Sequence, residues 1–216
     1  MRSTISYWYT YSSDLWLKFR TRLRSVGGFS IVELIVSVSV IAIISTLLIA
    51  NFRVGKDRDE LRGAANVLAA VLQQAQAYAL AGRTASDSAH GTLVPPGGYG
   101  VYISVPANQI MFFGDDGDHL FDSTKDYAIE AIPLSSRVSI DGPGTCIDPD
   151  SQSGCVAASS LTLVTAIPSG DHYLNSVVNK GALIVKFRHS NLSNQSVSVS
   201  ASAISGQIST SGIASF

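Results

Sequence analysis

Charge is scarce in this chain: 14% of its 216 residues are charged, against 46% apolar, a balance that does not suit a purely cytosolic protein. Cysteine is scarcer still, with Cys146 and Cys155 alone, and no further Cys or His stands near them to complete a metal site. The histidines, His90, His119, His172 and His189, form no paired metal motif, and the many serines include no Gly-x-Ser-x-Gly elbow. No cofactor motif is present either. These absences argue against an enzyme.

What the chain does have is one long apolar run. Phe29 to Ala50 reads FSIVELIVSVSVIAIISTLLIA, 22 residues whose only ionisable side chain is Glu33. At about 1.5 Å per residue such a helix extends roughly 33 Å, enough to cross a hydrocarbon core of about 30 Å. The run predicts a transmembrane helix over 29–50. Ahead of it, Arg2, Lys18, Arg20, Arg22 and Arg24 face a single acid, Asp14, whereas the rest of the chain is net negative. Basic residues before a span are retained in the cytoplasm, so everything after Ala50 is expected outside.

The order of these parts is unusual. A secretory signal places its cleavage site after the apolar run, but here Ser25-Val26-Gly27-Gly28 precedes it. Any cut would fall before the membrane helix.

Gly28-Phe29-Ser30-Ile31-Val32-Glu33-Leu34 resembles the class III signal of type IV prepilins: a glycine, an aromatic, three residues and a glutamate. The resemblance implies that a prepilin peptidase cuts between Gly28 and Phe29 and that the new amine of Phe29 is methylated. It also implies an inner-membrane, single-pass precursor with a periplasmic or extracellular domain, whose partners in the filament are other pilin or pseudopilin subunits. A carboxylate inside a membrane span is costly and tends to be functional. In the pilin-like reading Glu33 pairs with the amine of a neighbouring subunit's Phe29. The plainer alternative is a glutamate that reaches the headgroups or stays protonated.

After Ala50 polarity rises but helical periodicity continues, with Leu61, Ala64 or Ala65, Leu68, Val71 or Leu72, Ala75, and Tyr78 or Ala79 on one face. One helix from about Ser30 to Leu80 is expected, loosened or bent at Gly55 and Gly63 and stopped at Gly82. Residues 83–96 read as loop. Beyond Gly97 the period falls to 2, predicting strands at 99–105, 109–113, 127–132, 137–140, 161–166, 182–188, 196–203 and 207–210. The fold class expected is α+β, with one face of an antiparallel β-sheet covering the helix's apolar stripe. The parts are a leader (1–28), a transmembrane helix (29–50), its amphipathic continuation (51–82) and a β-rich domain (83–216).

Within the pilin-like group the sequence is most similar to the GspH/FimT-type minor pseudopilins. The shared features are Leu-Ala-Ala-Val-Leu-Gln-Gln-Ala-Gln-Ala-Tyr-Ala in the helix, Gly98-Tyr99-Gly100-Val101-Tyr102, and the closing Val-Ser-Ala-Ser-Ala-Ile-Ser-Gly-Gln-Ile. That branch usually carries Arg where Gln76 stands, and often Gly-Arg in place of Gly206-Gln207. The function this implies is a structural minor subunit of a type IV pilus or a type II secretion pseudopilus. Two other readings are a DNA-capturing or adhesive minor pilin and an unprocessed, signal-anchored periplasmic protein. DNA capture would draw on Lys180, Lys186, Arg188 and His189, but the exposed part is net negative and has no aromatic-basic interleaving.

Two local features remain. Cys146 and Cys155, in a Gly/Pro/Asp/Ser-rich stretch on the oxidising side, are expected to form a disulfide, with two free thiols as the alternative. Asp115, Asp116, Asp118 and Asp122 form an oxygen-rich run of a kind that can hold calcium. It lacks the spacing and terminal glutamate of an EF-hand loop, so a solvated acidic turn is the favoured reading and no metal is expected. The aspartates at 141, 148 and 150 have the same standing.

Overall fold

Ser30 starts the long helix α1 (Ile31–Leu80). Its hydroxyl accepts a hydrogen bond from the Val32 amide at 3.3 Å, and its carbonyl accepts the first helical bond, from Leu34. That is an N-cap, and Glu33 stands at the third helical position, where the helix dipole favours an acid. The other end closes on Gly82, whose φ of 56° suits the left-handed turn. There the Arg83 amide donates to the Tyr78 carbonyl, and the Gly82 amide to that of Ala79.

The computed structural model describes residues 28–87, 91–146 and 156–215. The chain divides into two units, 1–51 and 52–216. In the first, the apolar side chains of α1 are exposed throughout, from Ile31 at 79% to Ile49 at 54%. Its hydroxyls are satisfied internally: Ser37 donates to the Glu33 carbonyl, Ser39 to Ile35, Ser45 to Ile41 and Thr46 to Ile43. A helix that meets its own polar needs in this way can sit in hydrocarbon.

In the second unit, Leu61, Ala65, Leu68, Leu72, Ala75 and Ala79 form a buried stripe. Both Gly55 and Gly63 remain helical, so the expected loosening does not occur. Strands follow in chain order: β1 (Ala85–Asp87), β2 (Gly91–Leu93), β3 (Gly98–Ser104), β4 (Gln109–Asp115), β5 (Tyr127–Pro133), β6 (Val138–Cys146) and β7 (Val156–Ala157). Then come β8 (Ser160–Thr165), β9 (His172–Leu174), β10 (Val177–Val178), β11 (Ala182–His189), β12 (Gln195–Ser202), β13 (Ile208–Thr210) and β14 (Ala214–Ser215).

The strands make two antiparallel sheets and a ribbon where the sequence suggested one sheet. One sheet has the order β10-β9-β8-β3-β4-β5, the other β13-β12-β11-β6-β7 with β14 also on β12, and β1 pairs β2. Alternate residues of both sheets, including Tyr99, Val101 and Ile103 on β3, Leu183, Val185 and Phe187 on β11, and Val197, Val199 and Ala201 on β12, join the helix stripe in one core. The fold is α+β, a long helix with antiparallel sheets.

The far face of the first sheet is covered by the segment after β4. Phe121 stacks on Tyr102 with centroids 4.5 Å apart and meets Phe113 edge-on at 5.0 Å. Those two ring contacts hold the acidic loop against the sheet.

Candidate functional site

Two regions carry the chemistry-bearing residues, one in each unit. In the first unit, Gly28 and Phe29 precede the Ser30 cap. Among the described residues, a Cβ built at Gly28 would meet nothing within 4 Å. Glu33 lies in the first turn of α1 and is exposed, as are the apolar residues around it. The basic leader through Gly27 lies outside the described residues.

In the second unit the acidic run forms a tight turn after β4. Asp115 is fully buried, contrary to a solvated turn. Its Oδ2 accepts hydrogen bonds from the Gly117 amide at 3.1 Å and the His119 amide at 3.3 Å, and lies 3.0 Å from His119 Nδ1. Gly97 makes this possible, because a Cβ there would fall on the Asp115 carboxylate. The His119 ring also stacks on Tyr173 at 3.7 Å, and Ser176 Oγ donates to the Asp118 carbonyl, so the turn is tied to β9 and the turn that follows it.

Asp126, which the sequence reading passed over, organises the rest. It is buried, and its carboxylate accepts the Asp116 amide at 3.0 Å and the Asp122 amide at 2.7 Å. Burial pushes both Asp115 and Asp126 up to about 6, partly offset at Asp115 by His119 and at Asp126 by the Asp122 amide. Asp122 is half-buried and shifted down, because the Thr124 amide and hydroxyl both donate to it. Lys125 lies 3.9 Å from Asp118 and 3.7 Å from Asp122. The signal that could have found Asp126 is its spacing: four residues after Asp122, it can reach back to an amide that a turn leaves free.

The remaining candidates disperse. Cys146 ends β6 and Cys155 lies outside the described residues, so the disulfide expectation does too. Among the basic residues, Arg188 is paired with Asp141 at 2.7 Å. His189 is buried at the end of β11, its Nε2 3.4 Å from Glu60 and 3.7 Å from Asp57. That leaves Lys180 and Lys186.

Comparison with protein-family models, characterised proteins and solved structures finds no match to this chain. The functional reading therefore rests on the residues themselves.

Proposed function

We propose that this chain is a structural minor pilin or pseudopilin subunit, cut by a prepilin peptidase between Gly28 and Phe29 and assembled into a type IV pilus or a type II secretion pseudopilus. One observation carries the reading. The apolar half of α1, with mean hydropathy 2.5 over its most apolar window, is 0% buried within its own chain. So much bare apolar surface needs an external apolar environment. A bilayer supplies it before assembly, and the helices of neighbouring subunits supply it in a filament.

The residues around this surface fit the same account. Gly28 is the small residue that close approach of a peptidase to the backbone calls for at the cut. Glu33 is the only ionisable group from Phe29 to Ala50. In the filament it pairs with the methylated amine of Phe29 in the next subunit, which sets the stagger between them. While waiting, the subunit is a single-pass inner-membrane protein with residues 52–216 outside the cytoplasm, consistent with the basic leader.

Glu33→Val tests the assembly step. The variant is expected to insert and to be processed, yet to enter sheared filaments at least tenfold less than the wild type. Normal incorporation would contradict the pairing.

A further inference from the structure

We propose that His189 is a pH-operated latch between α1 and the turn from β11 to β12: a second proton on its ring tightens its hold on Asp57 and Glu60 and releases the main-chain amide of Asn191. The side chain is 0% exposed, and its two ring nitrogens face different elements. Nε2 looks onto α1, 3.4 Å from Glu60 Oε2 and 3.7 Å from Asp57 Oδ1. Nδ1 looks onto the turn and accepts the Asn191 amide at 3.2 Å.

That last bond fixes where the proton sits. An imidazole nitrogen that accepts a hydrogen bond carries no hydrogen, so Nδ1 is bare and the neutral ring holds its one proton on Nε2, toward the two carboxylates. A second proton can go only to Nδ1. The acceptor then becomes a donor, two N–H groups face each other across the same contact, and the Asn191 amide has to leave. The imidazolium gains in exchange, because two carboxylates beside an enclosed ring attract it more strongly than they would in water.

The other groups around the ring allow this trade. On α1, Lys56 lies 4.0 Å from Glu60, and Arg137, just before β6, lies 3.8 Å away; both approach Oε1 and leave Oε2 to the ring. Arg58 is engaged by Gln195, and Arg188, next along β11, by Asp141. Within the turn, the Leu192 amide donates to the His189 carbonyl, the Gln195 amide to that of Leu192, and the Asn191 side-chain amide to Asp57 Oδ2. None of these three bonds uses a ring nitrogen, so the turn stays anchored while one amide turns out.

The test is nuclear magnetic resonance of the isotope-labelled full chain in detergent, titrated from about pH 8 to about pH 5, the range in which histidine changes charge. At the upper end the His189 Nδ1 signal should be that of a bare ring nitrogen. On acidification it should become that of a protonated one, and the Asn191 amide signal should move with the same midpoint. Hydrogen-exchange protection of the Asn191 amide, corrected for the intrinsic effect of pH, should fall about tenfold, and that of the Leu192 and Gln195 amides less than about twofold. Glu60→Gln should move the midpoint to lower pH. A proton on Nδ1 at the upper end, a ring still neutral at the lower end, or an Asn191 amide indifferent to the ring's charge would each overturn the latch. An unmoved midpoint in Glu60→Gln would overturn the hold on Glu60.

Discussion

The side-chain amide of Gln76, on α1, donates to the main-chain carbonyl of Gly206 at 2.8 Å, joining the helix to the turn of the last hairpin. Gly206 has a φ of 68°, and a Cβ on it would lie 2.4 Å from His172 Nε2. Gly206→Ala should therefore destabilise the protein by about 1–3 kcal/mol, through backbone strain and the clash together. Gln76→Ala should cost about 0.5–1.5 kcal/mol, a single half-buried hydrogen bond. Denaturant unfolding measures both, and a neutral Gly206→Ala would contradict the packing of this turn.

His172 makes stability depend on pH. Burial pushes its pKa below the usual 6.5, with Asp171 opposing, and its Nδ1 lies 3.0 Å from Thr165 Oγ1. The folded state thus favours the neutral ring. Its contribution is complete above 6.5 and is lost as pH falls from there through the folded value, because the unfolded chain takes up the proton first. His172→Gln should flatten this part of the stability profile, below the usual histidine value of 6.5. An unchanged slope would remove His172 as its source.

Core positions and membrane positions should separate cleanly. Phe187 and Leu68 are each 0% exposed in the core of the second unit. Phe187→Ala should cost about 3–5 kcal/mol and Leu68→Ala about 2–5 kcal/mol. Leu47 is 63% exposed, so Leu47→Ala should leave the unfolding of residues 52–216 unchanged. Equal losses at all three would contradict this division.

The helix was legible because its pattern is long. Leu61 to Ala79 repeats the same face over five turns, and Gly82 ends it through a positive φ that other residues resist. The eight expected strands are present with boundaries shifted by a residue or two, except β6. The expected strand stops at Ile140, ahead of Gly142-Pro143-Gly144. Instead β6 runs on to Cys146, with a bulge that sets Gly142 and Pro143 opposite Val185 alone, since Asp141 pairs Lys186 and Gly144 pairs Ile184. A proline with no amide to donate is tolerated at such a bulge. Strands β1, β2, β7, β9, β10 and β14 have two or three residues each, too few for a period to show.

The division into two sheets was not legible either, because partner choice between strands far apart in sequence leaves no local mark. The same holds for the acidic turn. Four aspartates were visible as a cluster, but the burial of Asp115 depends on Gly97 and His119, and Asp126 acts through amides that only the folded turn presents.

The central claim concerns the bond between Gly28 and Phe29. Mass spectrometry of the protein extracted from membranes of cells with an active prepilin peptidase reads it directly. The account predicts a chain that begins at Phe29 and carries one extra methyl group on its amine; a chain that still begins at Met1 would contradict it.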